Sequence, residues 1–403
     1  MPISARSVSI SLCAIVCNEA ETLPRCLHSV RDFVDELVVV DTGSTDGTPA
    51  IARDCGAQVF EFDWCDDFAA ARNASLSHAN GDWILVLDAD EAFVPAIAPT
   101  LIQLMQQDDC LAINVLRQEI GASQSPYSLV SRLFRRHPDI AFSRPFHELI
   151  DDSVEALIAR EPHWQAIALE DIAIAHYGYD ADAIACRQKL DRARRAMESC
   201  LKIDAEDPYL CSKLGGLYVQ TGAYDRAIAL LQKGLSLSPL EAAVVYELHF
   251  HLGLAYRQQQ QWQLADEHYQ AAIAQNVLPT TKLGAYVNWG SLRLAGGDAA
   301  GARAAYEQAI DIAPNFAIAH YNLGMACKSQ KLWTQAISAY ERALALDSNY
   351  AAAHQNLGVV WLKLGAVSQS LAAFRLAIAL YEQQGSPEGE RLRRNLAEMG
   401  FSI

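Results

Sequence analysis

The sequence predicts an α/β domain with a mostly parallel sheet and helices on both faces, followed by an all-α solenoid of helical repeats. Over the first 180 residues, short apolar runs alternate with helix-like stretches, as expected of a parallel sheet. From about residue 208, a pattern of Gly and Ala recurs at steps of 38, 37, 34 and 34 residues, which indicates a repeat architecture. A chain of 403 residues is also too long for a single core.

Four strand–helix pairs account for the first part of the α/β domain. Their predicted ranges are 8–17 with 23–30, 36–40 with 48–55, 58–62 with 68–78, and 83–87 with 97–105. In such sheets, ligands bind beyond the carboxyl ends of the strands, near the point where the strand order reverses. Asp41 and the pair Asp88 and Asp90 fall at such ends, so we expect the functional site there.

The repeats share a Leu-Gly or similar pair, an Ala or Ser twelve residues after the Gly, and an aromatic residue or Leu four residues later. This pattern resembles the tetratricopeptide repeat, a helix–turn–helix unit. Small residues would lie where two helices cross closely. Longer early steps imply extra residues in the first helix or turn of units two and three. The glycines of the five units are Gly215, Gly253, Gly290, Gly324 and Gly358.

These patterns predict four regions along the chain. Residues 1–180 form the α/β domain, 181–207 a connecting helix, 208–385 five repeats, and 386–403 a capping helix.

Charge is distributed unevenly along the chain. Residues 1–207 hold 17 Lys and Arg against 34 Asp and Glu, whereas 208–403 hold 15 against 14. The acidic half argues against nucleic acid as a partner, because phosphate contacts need a basic surface. No apolar run is long enough to span a membrane, and the apolar N-terminal run is interpreted as a first strand. Ten cysteines without a CxxC pair indicate reduced thiols and a cytoplasmic protein.

Four segments carry the motifs of the α/β domain: CNEAETLPRCLHSV (17–30), VVVDTGSTDGT (38–48), ARN (71–73) and GDWILVLDADE (81–91). Together they resemble family 2 glycosyltransferases over roughly residues 8–180. The resemblance implies the GT-A fold and an inverting enzyme that uses a nucleotide-diphosphate sugar, with UDP as the family-level expectation.

The acidic pair Asp88 and Asp90 follows a buried strand, where uncompensated carboxylates would repel one another. Two carboxylates at this spacing can point into one space, and hard cations such as Mg²⁺ or Mn²⁺ suit oxygen ligands and diphosphates. We therefore expect a Mg²⁺ or Mn²⁺ ion there, which would let an acidic domain bind an anionic donor. The alternative is that both residues cap a following helix.

The resemblance assigns further donor contacts. Asp41 would bind the nucleotide base, Arg72 the nucleoside or phosphate, and Asp88 the ribose, while Asp90 would ligate the metal. Glu19 ends the first strand and joins the donor-binding set. The alternatives are a local turn at Asp41-Thr42-Gly43-Ser44 and, for Arg72, a salt bridge on an exposed helix.

The segment 131–150 is the most basic part of the acidic domain. Its four arginines could stabilise the diphosphate leaving group. Within it, Glu148 occupies the place where relatives carry a carboxylate general base, although Leu149 follows it where their motif has Asp. Glu148 is the first candidate base and His147 the second, and the alternative is a residue at a helix start. The four arginines are Arg132, Arg135, Arg136 and Arg144.

His176, in IAHYGY (174–179), resembles the histidine that many GT-A enzymes supply to the metal. The alternative is a buried, hydrogen-bonded histidine.

Three functions are compatible with these patterns. The first is a glycosyltransferase whose repeats recruit a peptide or protein acceptor or another protein partner. The second is a glycosyltransferase acting on a glycan or lipid-linked saccharide, with the repeats docking it to an assembly. The third is a repeat scaffold with a degenerate transferase domain.

Overall fold

The computed structural model describes residues 8–122, 126–146, 148–177, 183–203 and 205–401. Two compact units make up the chain, Met1–Leu210 and Cys211–Ile403. The finer four-region division remains a prediction.

The first unit begins with the predicted alternation of strands and helices. Strand ends agree with the predicted ones to within two residues, because apolar runs bounded by turn residues define buried strands well. The elements are β1 (Ile10–Val16), α1 (Leu23–Val30), β2 (Glu36–Asp41), α2 (Thr48–Asp54), β3 (Gln58–Glu61), α3 (Phe68–His78) and β4 (Trp83–Val86).

The rest of the unit extends the same sheet beyond the predicted strands. A 3₁₀ turn (Pro95–Ile97) precedes the fourth helix. The further elements are β5 (Glu91–Phe93), α4 (Ala98–Met105), β6 (Cys110–Glu119), β7 (Tyr127–Arg135), α5 (Asp151–Arg160), β8 (Gln165–His176) and α6 (Ala183–Ile203).

The described strands form one eight-stranded mixed sheet in the order β3-β2-β1-β4-β7-β6-β8-β5. Strands β1 to β4 are mutually parallel, whereas β7 is antiparallel to β4 and β6, and β5 is antiparallel to β8. The chain runs from β1 outward to β2 and β3, then crosses back so that β4 lies on the other side of β1. The strand order therefore reverses between β1 and β4, where a ligand site is expected.

Apolar side chains cover both faces of the sheet. Leu12 and Leu85 lie in the core that includes residues of α1 and α4. Cys13 and Ile84, their neighbours in sequence, lie in the opposite core with residues of α3 and α5. Alternation along a strand places successive side chains on opposite faces, so a continuous apolar strand needs helices on both sides.

A β-bulge interrupts the pairing of β6 with β7 close to the end of β4. Ile113 pairs with Leu133 and Asn114 with Ser131, which leaves Arg132 as the extra residue. Bulges redirect a side chain locally and are frequent beside functional sites. Because Leu85 also pairs with Leu133, Arg132 lies next to the residues that follow β4.

The second unit consists of helix pairs, as the repeat pattern predicts. The first helix of unit two has 17 residues against 13 in the others, and a 3₁₀ turn (Pro279–Lys282) precedes unit three, which accounts for the longer steps. The pairs are α7 (Pro208–Gln220) with α8 (Tyr224–Ser236), α9 (Ala242–Gln258) with α10 (Trp262–Ile273), α11 (Leu283–Ala295) with α12 (Ala299–Ile312), α13 (Ala317–Ser329) with α14 (Trp333–Leu346), and α15 (Ala351–Lys363) with α16 (Val367–Gln383), followed by α17 (Glu388–Glu398).

Each repeat glycine lies against the large side chain sixteen residues later. A Cβ added to Gly324 would lie 2.5 Å from Cε1 of Tyr340, and one added to Gly253 would lie 2.6 Å from Cε1 of Tyr269. Only hydrogen leaves room for the ring at these crossings, so the recurring Gly fixes how closely the paired helices approach.

First helices of consecutive units also pack on one another, as in α9 with α11, α11 with α13, and α13 with α15. The second helices approach each other less closely, so the first helices line the inner face of the solenoid. Among the described residues, none of the helices combines the length and apolarity needed to cross a bilayer.

Candidate active site

The loops that follow β1 and β2 are joined by hydrogen bonds. The backbone N–H of Asn18 donates to Ser44 Oγ (2.9 Å), and Asn18 Oδ1 accepts from the N–H of Thr45 (2.8 Å). The N–H of Glu19 donates to Oγ1 of Thr48 (2.8 Å). These bonds bring the predicted donor residues Glu19 and Asp41 to the same edge of the sheet.

Asp41 ends β2 and is buried. Its Oδ2 accepts from the N–H groups of Gly43 (3.3 Å) and Ser44 (3.1 Å), and its Oδ1 accepts from the Ser44 hydroxyl. The local turn considered in the sequence is therefore formed. The turn orders the loop at the carboxyl end of β2, beside β1.

The acidic pair lies in a turn between β4 and β5. The N–H of Asp88 donates to Oε2 of Glu91 (2.9 Å), and the N–H of Glu91 donates to the Asp88 carbonyl (3.0 Å). The next element is the strand β5. The alternative that Asp88 and Asp90 cap a following helix is therefore wrong.

Arg72, on α3, connects Asp88 to the candidate base. Its Nη2 donates to Asp88 Oδ1 (2.5 Å) and its Nε to Glu148 Oε1 (2.6 Å). Arg132, the bulge residue, donates from Nη2 to Asp88 Oδ2 (3.0 Å). Arg72 is 3% exposed, so the alternative of a salt bridge on an exposed helix is correct about the salt bridge and wrong about the exposure.

Two guanidinium groups thus bind the Asp88 carboxylate. Burial by itself would raise the pKa of Asp88, but Arg132 and Arg72 hold it well below its usual range. Asp88 is therefore ionised, and its two oxygens are each engaged by an arginine. The other carboxylate of the pair, Asp90, faces Nε2 of His176.

Glu148 lies outside any helix, three residues before α5, and its side chain is 11% exposed. The alternative that Glu148 starts a helix is therefore wrong. His147, the second candidate base, lies outside the described residues.

His176, the last residue of β8, lies between two carboxylates. Its Nδ1 is 2.5 Å from Oε2 of Glu119, and its Nε2 is 3.3 Å from Oδ2 of Asp90. Burial lowers the pKa of His176, but the hydrogen bonds to Asp90 and Glu119 outweigh burial and raise that pKa to about 9. A proton between Nε2 and Asp90 thus occupies the position that a cation would take.

The donor atoms fit a divalent cation that is also held by phosphate. Within the described ranges, no group of three or more His, Cys, Asp or Glu side chains could hold a metal ion, so the chain offers the pair Asp90 and His176. Mg²⁺ is usually bound through one or two carboxylates plus substrate phosphates and water. A two-ligand site suits a cation that arrives with a diphosphate.

Of the four arginines in the segment 131–150, only Arg132 contacts the acidic turn. Arg135 donates to the carbonyls of Cys110 and Gln107, and Arg136 donates to that of Gly81, at the opposite end of β4. Arg144 pairs with Asp152 and Asp207. Arg135 and Arg136 therefore bind backbone away from the acidic turn, and Arg144 binds carboxylates outside that turn.

Three charged residues at the site were missed in the sequence. Arg117 and Glu119 lie on β6, and Glu91 begins β5. The available signal was a charged pair, Arg117 and Glu119, spaced two apart at the end of a mostly apolar strand, which places both side chains on one face.

Comparisons with known proteins agree with both halves of this architecture. The model of the family described as "Glycosyl transferase family 2" matches residues 11–166. Tetratricopeptide-repeat models match residues 187–249, 248–281, 290–331 and 317–350. The chain belongs to the family 2 glycosyltransferases fused to C-terminal tetratricopeptide repeats. Its expected fold is therefore confirmed.

Relatives of this glycosyltransferase differ in how much of it they share. A TPR repeat-containing protein of Synechococcus elongatus is 48% identical over 314 residues, 78% of each chain. The SPbeta prophage-derived glycosyltransferase SunS of Bacillus subtilis is 26% identical over 48% of this chain and 45% of its own. An uncharacterised glycosyltransferase of Rickettsia bellii is 39% identical over 36% of this chain and 52% of its own.

Solved structures are more distant. The MamA protein shares 22% identity at a TM-score of 0.39, covering 45% of this chain and 95% of its own. YrrB, described as a TPR protein with an unusual peptide-binding site, shares 18% identity at a TM-score of 0.40, covering 47% and 93%.

Proposed function

We propose that this chain is a metal-dependent inverting glycosyltransferase. It transfers a sugar from a nucleotide-diphosphate donor, with UDP as the first nucleotide to test, to a polypeptide acceptor recruited by the repeats. The observation that carries this proposal is the pairing of Asp90 with His176 beside the ionised Asp88.

Donor binding follows from these residues. Asp90 and His176 would hold Mn²⁺ or Mg²⁺, which supplies positive charge to the diphosphate oxygens. Asp88, held by Arg72 and Arg132, lies at the ribose end of the donor. Asp41, at the end of β2, and Glu19, in the loop after β1, lie on the side of the site where the nucleoside would bind.

The transfer step needs a base on the acceptor side. The Glu148 carboxylate, or His147, takes the proton of the acceptor hydroxyl or thiol as that atom attacks the anomeric carbon. The new bond forms on the face opposite the bond to the diphosphate oxygen. That bond breaks with its electron pair leaving on the nucleoside diphosphate, so the configuration inverts.

The charges of the five repeats favour an acidic polypeptide as the acceptor or partner. The five first helices, which line the inner face, carry five Lys or Arg against one Glu, whereas the second helices carry five against seven Asp or Glu. Arg257 and Lys328 on that face bind the amide oxygens of Asn288 (3.1 Å) and Asn356. No ion pair forms at either cation within the described part of the chain, so both can attract an anionic segment.

A thermal-shift screen of nucleotide sugars, with and without Mn²⁺, tests the donor proposal. Ligand binding to the folded state raises the melting temperature by mass action, so we expect one donor to raise it only when Mn²⁺ is present. If none of the sugars raises it, the repeat scaffold with a degenerate transferase domain becomes the better interpretation.

Charge reversal of the inner face tests the acceptor proposal in the full-length chain. Arg257→Glu with Lys328→Glu should weaken transfer to an acidic acceptor while leaving the donor-induced shift unchanged. Arg226→Glu with Arg342→Glu, on the second helices, is the matched control. Equal loss in both pairs would contradict a role for the inner face.

We further propose that the reaction takes place in the cytoplasm. All nine cysteines that the structure describes are free thiols, which fits a reducing compartment.

A further inference from the structure

We propose that Glu119 is a positioning residue for the metal-ligand face of His176, and that Arg117 and Glu91 connect it to the acidic turn. This inference rests on the proposed function, because it concerns the cation that the donor site would hold. Its test is a binding measurement, which separates its failure from that of the proposed function.

Strand register places the three residues in one row. Strands β5, β8 and β6 are neighbours at one end of the sheet order. Glu91 pairs with His176 across the β5–β8 ladder, and Glu119 pairs with His176 across the β6–β8 ladder. His176 is therefore flanked on both sides by a buried glutamate, at 0% exposure for Glu91 and 8% for Glu119.

Hydrogen bonds fix the Glu119 carboxylate from three directions. Its Oε1 accepts from the hydroxyl of Ser128 (2.7 Å) and from Nε of Arg117 (2.8 Å), while its Oε2 meets Nδ1 of His176 at 2.5 Å. A carboxylate has no proton to donate when ionised, so Nδ1 must carry the hydrogen. The other ring nitrogen, Nε2, is then the one that can offer a lone pair to a cation, and it faces Asp90.

Arg117 extends this arrangement to the turn after β4. Its Nη1 donates to Oε1 of Glu91 (2.8 Å), and Oε2 of Glu91 accepts from the backbone N–H of Asp88 (2.9 Å). One guanidinium therefore joins the residue that holds His176 to the residue that holds the acidic turn. Asp90 and His176 come from different strand ends, and this connection adds to the β5–β8 pairing and to the hydrogen bond from the Tyr177 N–H to the Asp90 carbonyl (3.0 Å), which hold the two segments together.

The cost of burying the charges of Glu91, Arg117 and Glu119 favours a functional role for them. Taking several charges out of water carries a desolvation cost that mutual attraction often only balances. Apolar side chains at these positions of β5, β8 and β6 would be enough to stabilise the sheet. Groups that hydrogen-bond to the second ring nitrogen of a metal-binding histidine strongly affect metal affinity. Orienting His176 therefore explains these buried charges, whereas packing of the sheet does not require them.

Glu119→Gln tests the inference, with Mn²⁺ alone as the probe and the free ion followed by electron paramagnetic resonance. The amide nitrogen of Gln can donate to Nδ1, which favours the tautomer with hydrogen on Nε2. We expect the variant to bind Mn²⁺ about 10- to 100-fold more weakly than the wild type, with an unchanged circular dichroism spectrum.

Glu36→Gln is the matched control. Glu36 is a carboxylate of the same sheet that accepts from Ser11 Oγ (2.6 Å) and Asn80 Nδ2 (2.9 Å) at the start of β2, the opposite end of that strand from the site. Its loss removes a similar number of hydrogen bonds, and we expect wild-type Mn²⁺ affinity.

The outcomes separate the two proposals. Wild-type affinity in folded Glu119→Gln would overturn the positioning role and leave the donor proposal standing. Absence of Mn²⁺ binding by the wild type would overturn the positioning role, whereas the donor proposal is decided separately by the Mn²⁺-dependent thermal shift with nucleotide sugars. Should Glu119→Gln not fold, Ser128→Ala carries the test, because it removes one hydrogen bond to Glu119 and one from Arg117 (3.2 Å). A several-fold loss of affinity supports the role, and no loss overturns it.

Discussion

Arg72 lies between Asp88 and Glu148 and donates one hydrogen bond to each, from Nη2 at 2.5 Å and from Nε at 2.6 Å. A residue of helix α3 thereby links the acidic turn after β4 to the candidate base in the loop before α5. The donor side and the acceptor side of the proposed reaction share one buried guanidinium.

Arg72→Met should destabilise the domain, because it keeps much of the side-chain volume but leaves two carboxylates without their partner. Removing one member of a buried ion pair costs about 3–5 kcal/mol, and we expect about 3 kcal/mol because the Asp88 side chain is 33% exposed. Urea unfolding measures the change. Arg160→Met, at an exposed arginine with two carboxylate partners, should change the unfolding free energy little.

Asp90→Ala should abolish the Mn²⁺-dependent rise in melting temperature caused by the donor. The substitution removes a ligand from a turn and leaves the cores of the sheet intact, so the melting temperature without ligand should stay near that of the wild type. A variant that keeps the Mn²⁺-dependent shift would refute the role of Asp90. Asp139→Ala, at an exposed carboxylate paired with Arg160, serves as the control.

Glu148→Gln should lower the rate of transfer by about 10²- to 10⁴-fold, the usual contribution of a general base. Donor affinity, measured by titration with the nucleotide, should change far less, because the base acts on the acceptor. If His147→Ala shows this behaviour and Glu148→Gln does not, the base is His147.

Gly324→Ala should destabilise the solenoid by about 1–3 kcal/mol, the usual cost of overpacking. The added methyl group would lie 2.5 Å from a ring carbon of the fully buried Tyr340. Gly296→Ala is the control, because its nearest atom would lie 3.5 Å away and its φ of −77° suits alanine. Thermal unfolding measures the stability of both variants. Equal melting temperatures would contradict the role of Gly324 at the helix crossing.

Stability of the chain should also depend on the protonation of His251, on α9. Burial and nearby Lys213 lower the pKa of His251 to about 4, against the opposing effect of Glu247. The unfolded chain, with an ordinary pKa near 6.5, binds this proton more readily than the folded one. His251 therefore contributes fully to the free energy of unfolding above about pH 6.5, and this contribution is lost as the pH falls toward 4. It amounts to at most about 3 kcal/mol.

Urea unfolding between pH 4 and 7 measures this dependence. His251→Gln should flatten the difference across that range, because glutamine does not titrate. An unchanged slope in the variant would show that other groups cause the pH dependence.

The sequence alone identified both halves and most of the candidate site. Strand ends such as those of β1 and β2, and the repeat glycines, follow from local periodicity and from steric need at each helix crossing. Asp41, Asp88 and Asp90 could be placed at strand ends for the same reason. The strands β5 to β8 were not anticipated, because the antiparallel half of the sheet lacks the regular strand–helix alternation.

Only the tertiary structure decided which charged groups meet. Arg72 and Glu148 are 76 positions apart in the chain, and Glu119 and His176 are 57 apart. Their contacts depend on the strand order and on the register of β5, β8 and β6, neither of which leaves a local pattern. Periodicity reports how a segment buries its own face, whereas the pairing of charges depends on which segments the completed sheet brings side by side.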